Sequence, residues 1–192
     1  MTGDYEGVHA FLFLHKNDPV PPADVIGAVE QYKGDGGPVF FAAEFRGDFD
    51  GFVHFAADTL EELMDFKDHE LFDAGVRSDY VAEGTVLGAA DAQPKGPKRH
   101  SPRYCAICRV RTTQRPDEVL DAIAGAFDRD ETLVGASRVI GRFPLLVELG
   151  SEDQSELEGA IERLRNVDGV NGDAMRVGTA DTGAEGAKSS GA

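Results

Sequence analysis

Apolar residues alternate along the first strand-length segment of the chain. Val8, Ala10, Leu12 and Leu14 fall on one side of an extended stretch from Val8 to His15, and His9, Phe11, Phe13 and His15 fall on the other. A period of two predicts a half-buried strand. The period then lengthens: Val25, Ala28, Val29 and Tyr32 stand at i, i+3, i+4 and i+7, the stripe of an amphipathic helix. Two strands, Val39–Arg46 and Phe52–Ala57, are predicted next, joined by a tight turn. A second helix is expected to start at Asp58 with Glu61 three residues on, and to bury Leu60, Leu63, Met64 and Leu71. A last strand follows Gly75-Val76.

The same order recurs further along. Residues 22–85 match the segment 94 residues on without a gap, with 14 identities that include Pro22/Pro116, Gly47/Gly141, Phe49/Phe143, Gly75/Gly169 and Asp79/Asp173. Chance alone gives roughly four, and a period this long means duplicated domains rather than a solenoid. The second copy reads as a strand Tyr104–Arg111, a helix striped by Val119, Ala122, Ile123 and Ala126, and strands Leu133–Ile140 and Leu145–Gly150. A helix capped by Asp153 and Glu156 follows, burying Leu157, Ala160, Ile161 and Leu164, and then a strand beyond Gly169-Val170. The order βαββαβ, twice, predicts an α+β protein of two tandem ferredoxin-like units. The units are expected at residues 5–86 and 103–180, separated by a linker at 87–102 with three prolines and two glycines, and followed by a disordered tail at 181–192.

Composition narrows the class. The chain has 192 residues, 41% of them hydrophobic, enough for a packed core. It has no run of eighteen apolar residues and no amino-terminal signal pattern, and its two cysteines make no disulfide framework, so a cytoplasmic protein is expected. The formal charge of −16 argues against direct contact with nucleic acid or an anionic membrane. That charge is uneven: residues 1–94 hold 5 basic and 19 acidic side chains, residues 95–192 hold 14 and 16. Lys95, Lys98, Arg99, Arg103, Arg109, Arg111 and Arg115 carry the basic excess; without a helix-turn-helix pattern they read as a linker and strand facing acidic protein surface.

The two hairpins, Gly47-Asp48-Phe49-Asp50-Gly51-Phe52-Val53 and Gly141-Arg142-Phe143-Pro144-Leu145-Leu146-Val147, are similar to the Gly-x-aromatic-Asp signature of Lrp/AsnC-type ligand-binding (RAM) domains. The likeness continues into Asn166-Val167-Asp168-Gly169-Val170. Pro144 departs from the signature's aspartate, and Asp79 and Asp173 stand where that family's last strand often has threonine. The resemblance implies a small-molecule, possibly amino-acid, binding or regulatory module without a DNA-reading domain. It would take its ligand near Gly47, Asp48, Phe49, Asp50, Asp79, Gly141, Arg142, Phe143 and Asp173. It also implies sheets packed face to face as a dimeric α/β barrel, and self-association through sheets or with other domains of the same type.

Strand alternation lists the faces such packing would cover. Val8, Ala10, Leu12, Leu14, Val53 and Phe55 are expected under the helices of the first unit, and Tyr104, Ala106, Cys108, Val110, Leu145, Val147 and Leu149 under those of the second. The opposite faces carry His9, His15 and His54 in one unit and Arg109, Arg111 and Glu148 in the other, with Glu44 and Arg138 added from the second strands. His9, His15, His54, Arg109, Arg111 and Glu148 would line an inter-sheet pocket in the alternative reading, a dimeric α/β barrel enzyme of oxygenase-like or haem-protein-like type. A tandem ACT-type regulatory module, pairing sheets edge to edge, is a third reading. No helical His-x-x-x-His is present, so no metal site is expected; no nucleophile–base pair stands out, and neither a catalytic residue nor a cofactor is assigned. Cys105-Ala106-Ile107-Cys108 has redox spacing, but on a strand that offset puts the thiols on opposite faces. Gly34-Asp35-Gly36-Gly37-Pro38 lacks the lysine and hydroxyl residue of a nucleotide loop and reads as a turn.

Overall fold

A computed structural model describes residues 8–18, 20–33, 39–66, 69, 86–92, 102–128, 130–140 and 143–183. The chain divides into two compact units, Gly3–Ala89 and, with Met1–Thr2, Ala90–Ala192. In the first, β1 (Val8–Leu14) leads to α1 (Pro22–Val29), which ends in a 3-10 turn. Next come β2 (Val39–Glu44), the short β3 (Arg46–Gly47), β4 (Gly51–Ala57), α2 (Leu60–Phe66) and β5 (Val86–Ala92). The strand β5 occupies the start of the stretch whose prolines and glycines suggest a linker. The second unit runs β6 (Tyr104–Val110), α3 (Pro116–Ala126), β7 (Leu133–Ile140), β8 (Leu145–Ser151), α4 (Gln154–Arg165), a 3-10 turn and β9 (Arg176–Asp181). No helix among the described residues is long and apolar enough to cross a membrane.

Both sheets are antiparallel. β1 lies between β4 and β5, with β2 outside β4; β6 lies between β8 and β9, with β7 outside β8. Register confirms the expected faces. Ala10, Leu12, Leu14, Val53 and Phe55 are buried with Val25, Ile26 and Val29 of α1 and Phe66 of α2. Ala106, Cys108, Val110, Leu145, Val147 and Leu149 form the equivalent core with Val119, Leu120 and Ile123 of α3 and Leu157, Ala160, Ile161 and Leu164 of α4. Each fully buried aliphatic or aromatic side chain contributes about 1.5–3 kcal/mol of transfer energy.

Three expectations are corrected. β2 carries a bulge between Val39 and Phe41, and β7 carries one 94 residues on, between Leu133 and Gly135. Each inserts one residue and reverses the alternation beyond it. Glu44 therefore pairs with Gly51, and Arg138 with Leu145, on the helix side of their sheets, and Arg138 reaches Asp117 of α3 at 2.9 Å. The α2 cap falls one residue later than Asp58 and Glu61 suggest: Thr59 and Glu62 exchange side-chain-to-backbone hydrogen bonds at 3.2 Å. That capping box rotates the helix so that Phe66 is buried and Met64 is 38% exposed. Leu71 lies outside the described residues. In α4 the expected cap is found, with Asp153 accepting from the backbone of Ser155 and Glu156, while the Glu156 carboxylate turns back to the Ser151 hydroxyl.

Gly169, from the segment leading to the last strand, has φ +82°, and a Cβ there would stand 2.6 Å from Val119 Cγ2. Gly169→Ala is expected to cost about 2–4 kcal/mol, from left-handed strain plus overpacking. Gly159→Ala on α4, where a Cβ meets nothing within 4 Å, is expected to gain about 0.5–1 kcal/mol. Urea denaturation of the two variants beside the parent chain checks both signs.

Candidate functional site

The helix-free face of the first sheet is aromatic and closed. Phe11, Phe13, Phe49 and Phe52 are all buried, and Phe52 lies within 5.3–6.2 Å, ring to ring, of Phe13, Phe45, Phe11 and Phe41. At one end of this cluster sit two of the predicted histidines. Phe11 pairs with His54 and His9 with Ala56, so the two imidazoles are diagonal neighbours on one face, and His9 Nδ1 lies 2.9 Å from His54 Nε2. One ring must donate and the other accept, so a single proton lies between them. His54 is wholly buried, its ring centroid 4.6 Å from Phe11 and 5.6 Å from Phe40. Burial, and then the neighbouring His9, push its pKa down to about 3, so it is neutral across the ordinary pH range. Its Nδ1 is buried and has no hydrogen-bond partner among the described residues.

Phe40 is the residue that the β2 bulge inserts, and its half-buried ring covers both imidazoles, 5.6 Å from His54 and 6.4 Å from His9. Bulges re-aim side chains in this way. The third predicted histidine, His15, lies just past the end of β1, where its backbone N–H donates to Asp18 Oδ2 at 2.7 Å.

The helix-free face of the second sheet is charged instead. Arg109 and Glu148 are buried, and Arg111 is half-buried. Glu148 stands opposite Ile107, one pair from Arg109, and burial raises its carboxyl to about 6. The guanidinium carbons of Arg109 and Arg111 lie 4.9 and 5.4 Å from the centroid of the Phe143 ring. Cys105 and Cys108 are free, lie on opposite faces as their spacing requires, and are both pushed up to about 12, chiefly by burial.

The hairpin residues separate by role. Gly47 has φ 132°, which the turn needs. Phe49 is fully buried against Phe13 and Phe45. Asp50 fastens the hairpin to the end of β1: its N–H donates to the Leu14 carbonyl at 2.8 Å, and its carboxylate accepts from the Lys16 N–H at 2.9 Å. Phe49 and Asp50 thus anchor the hairpin; Asp48 is exposed beside them, and Asp173 is exposed in the 3-10 turn before β9. Asp79, Gly141 and Arg142 lie outside the described residues, as does the Gly34–Pro38 turn. Sequence reasoning missed Phe40, and alternation could not find it, because the bulge that aims it breaks the alternation.

Among the described residues no three histidine, cysteine or carboxylate side chains gather as metal ligands. Haem fits poorly here. His9 and His54 are 2% and 0% exposed, and the nitrogens that face each other, His9 Nδ1 and His54 Nε2, are taken by their shared hydrogen bond.

No family model matches the chain, and no curated protein matches it. Solved structures do. A single-site variant of chlorite dismutase from Candidatus Nitrospira defluvii superposes with a TM-score of 0.53 at 16% identity, over 93% of this chain and 92% of that one. Chlorite dismutase from the same organism in complex with imidazole gives 0.53 at 15%, over 91% and 92%. An anthrone oxidase-like protein gives 0.52 at 14%, over 92% and 91%. The likeness is one of fold, an α+β fold of ferredoxin-like units.

Two buried groups make stability depend on pH in opposite senses. Unfolded, His54 takes a proton near 6.5; folded, it resists until about 3, so stability falls as pH drops below 6.5, by about 1.4 kcal/mol per pH unit from this group. Glu148 holds its proton to about 6 when folded and to 4.5 when unfolded, so it costs stability as pH rises through that window, on the order of 2 kcal/mol above it. His54→Phe is expected to flatten the acid loss below pH 6.5, and Glu148→Gln to raise stability at neutral pH. Urea midpoints measured across the acid and neutral range check both.

Proposed function

We propose that this chain is an enzyme of the dimeric α/β barrel type, oxygenase-like rather than haem-dependent, and not an amino-acid-binding regulatory module. The observation that carries this reading is the hydrogen-bonded His9–His54 pair, with a neutral His54 enclosed by aromatic rings beside Phe40. Such a pair is a relay. A proton accepted at one imidazole is matched by one released at the other through their shared hydrogen bond, and no lasting charge forms in the apolar surroundings. A planar aromatic molecule that displaced the Phe40 ring would lie against the same imidazoles and phenyl groups, with His54 Nδ1 available to its hydroxyl or enolisable carbonyl. The anthrone oxidase-like neighbour supports a tricyclic aromatic ketone as the first substrate class to try. The ligand-binding alternative has less support, because Phe49 and Asp50 are used in holding the hairpin.

Oxygen uptake by chelator-treated protein given an anthrone-type ketone tests the reading. Turnover is expected, and His54→Phe is expected to lower it by about 10²–10⁴-fold, the usual weight of one general acid–base group. Turnover of chlorite only after haemin is added, or no oxygen uptake together with a raised melting temperature in the presence of free amino acids, would overturn it.

A further inference from the structure

The second sheet gathers arginines where its fold alone gives no reason for them. Arg109 of β6 pairs directly with Arg176 of β9, on the same helix-free face, and Arg111 lies one residue past the end of β6. Like charges directly opposite each other on neighbouring strands repel and are destabilising. Two of the three guanidiniums also lie over one ring, that of Phe143. A ring face offsets part of the cost of a cation but neutralises none of its charge.

The chain has 35 carboxylates to spend against 19 basic groups, yet among the described residues none pairs with Arg111 or Arg176. Glu148, on the same face, has its carboxyl raised, chiefly by burial. Asp168 is taken by Gln114 at 3.1 Å. The first unit shows what is missing. There Asp50 supplies a carboxylate and a backbone N–H at the end of the central strand. Its counterpart is Pro144, which has neither, although its carbonyl still accepts from Val139 at 2.9 Å as that of Asp50 accepts from Phe45. The hairpin is kept and its anion is removed.

We propose that Arg109 and Arg111, both over the Phe143 ring, and Arg176, opposite Arg109, form a binding site for the oxyanion of a small ligand, a carboxylate or phosphate. Guanidinium forks suit such groups because each presents two parallel N–H donors to two oxygens. Arg176 is exposed and Arg111 half-buried, so the site is reachable, while Arg109 and Phe143 give it a fixed floor. This site is independent of the histidine pair and stands whether or not that pair is catalytic.

Isothermal titration of the full chain with citrate and with inorganic phosphate, in chloride of matched ionic strength, is the test. Saturable one-to-one binding of at least one probe is expected, weakened tenfold or more in Arg111→Gln and in Arg176→Gln and unchanged in Arg138→Gln, whose guanidinium serves Asp117. Preference for citrate or for phosphate identifies the carboxylate or the phosphate source. The site is refuted if neither probe binds, if chloride reproduces the heat, or if Arg138→Gln weakens binding as much as Arg111→Gln. Thermal unfolding of each variant shows that it is folded.

Discussion

The pairing of each unit's first strand with the last strand of its hairpin governs everything else in this protein. Val8↔Ala57 and Tyr104↔Ser151 fix the registers, and a slip of one residue would send every side chain of β1 or β6 to the other face. With the register held, one face is almost purely apolar and takes two helices. The other is left to hold whatever polar groups the chain retains. Those groups are buried too, and burial of an ionisable group is expensive unless it stays neutral or finds a partner. The two units meet that demand in different ways: the first keeps a neutral His54 hydrogen-bonded to His9, the second keeps a protonatable carboxyl beside stacked guanidiniums.

The hairpins show how one frame is put to two uses. Phe49 and Phe143 occupy matching positions, yet the first is locked in an aromatic cluster and the second is half-buried beneath two cations. The difference follows from the neighbouring position. Asp50 can close the strand end with both backbone and side chain, and Pro144 can close it with neither. A single exchange in a turn therefore changes the electrostatics of a whole sheet end, while the backbone carbonyl contact that shapes the turn is retained.

Much of this was legible in the sequence, and the exceptions have a common cause. Alternation in Val8–Leu14 and Tyr104–Val110 yields both faces, and it places His54 on the same face as His9 and His15. Alternation presumes one residue per pleat. At Phe40 and Val134 that presumption fails, so Glu44 and Arg138 lie on the face opposite to the one alternation predicts, and alternation gives no sign of Phe40. The start of α2 is ambiguous for a similar local reason: Asp58 and Thr59 are both capping residues, each with a glutamate three positions on, and only the structure shows that Thr59 and Glu62 form the box. The arginine pairing could not be seen at all, because Arg109 and Arg176 come together only through the register of β9.

The two cysteines of β6 have a use that none of the chemistry above requires. Thiol reagents attack the thiolate, and with both groups held near 12 only roughly one molecule in 10⁵ offers one at neutral pH. Reaction must therefore wait for the strand to open. Cys105 and Cys108 point into opposite faces of the same central strand, so each becomes reactive when its own cover lifts. The strand carries two separate clocks, one timing release of the helices and the other timing exposure of the charged face.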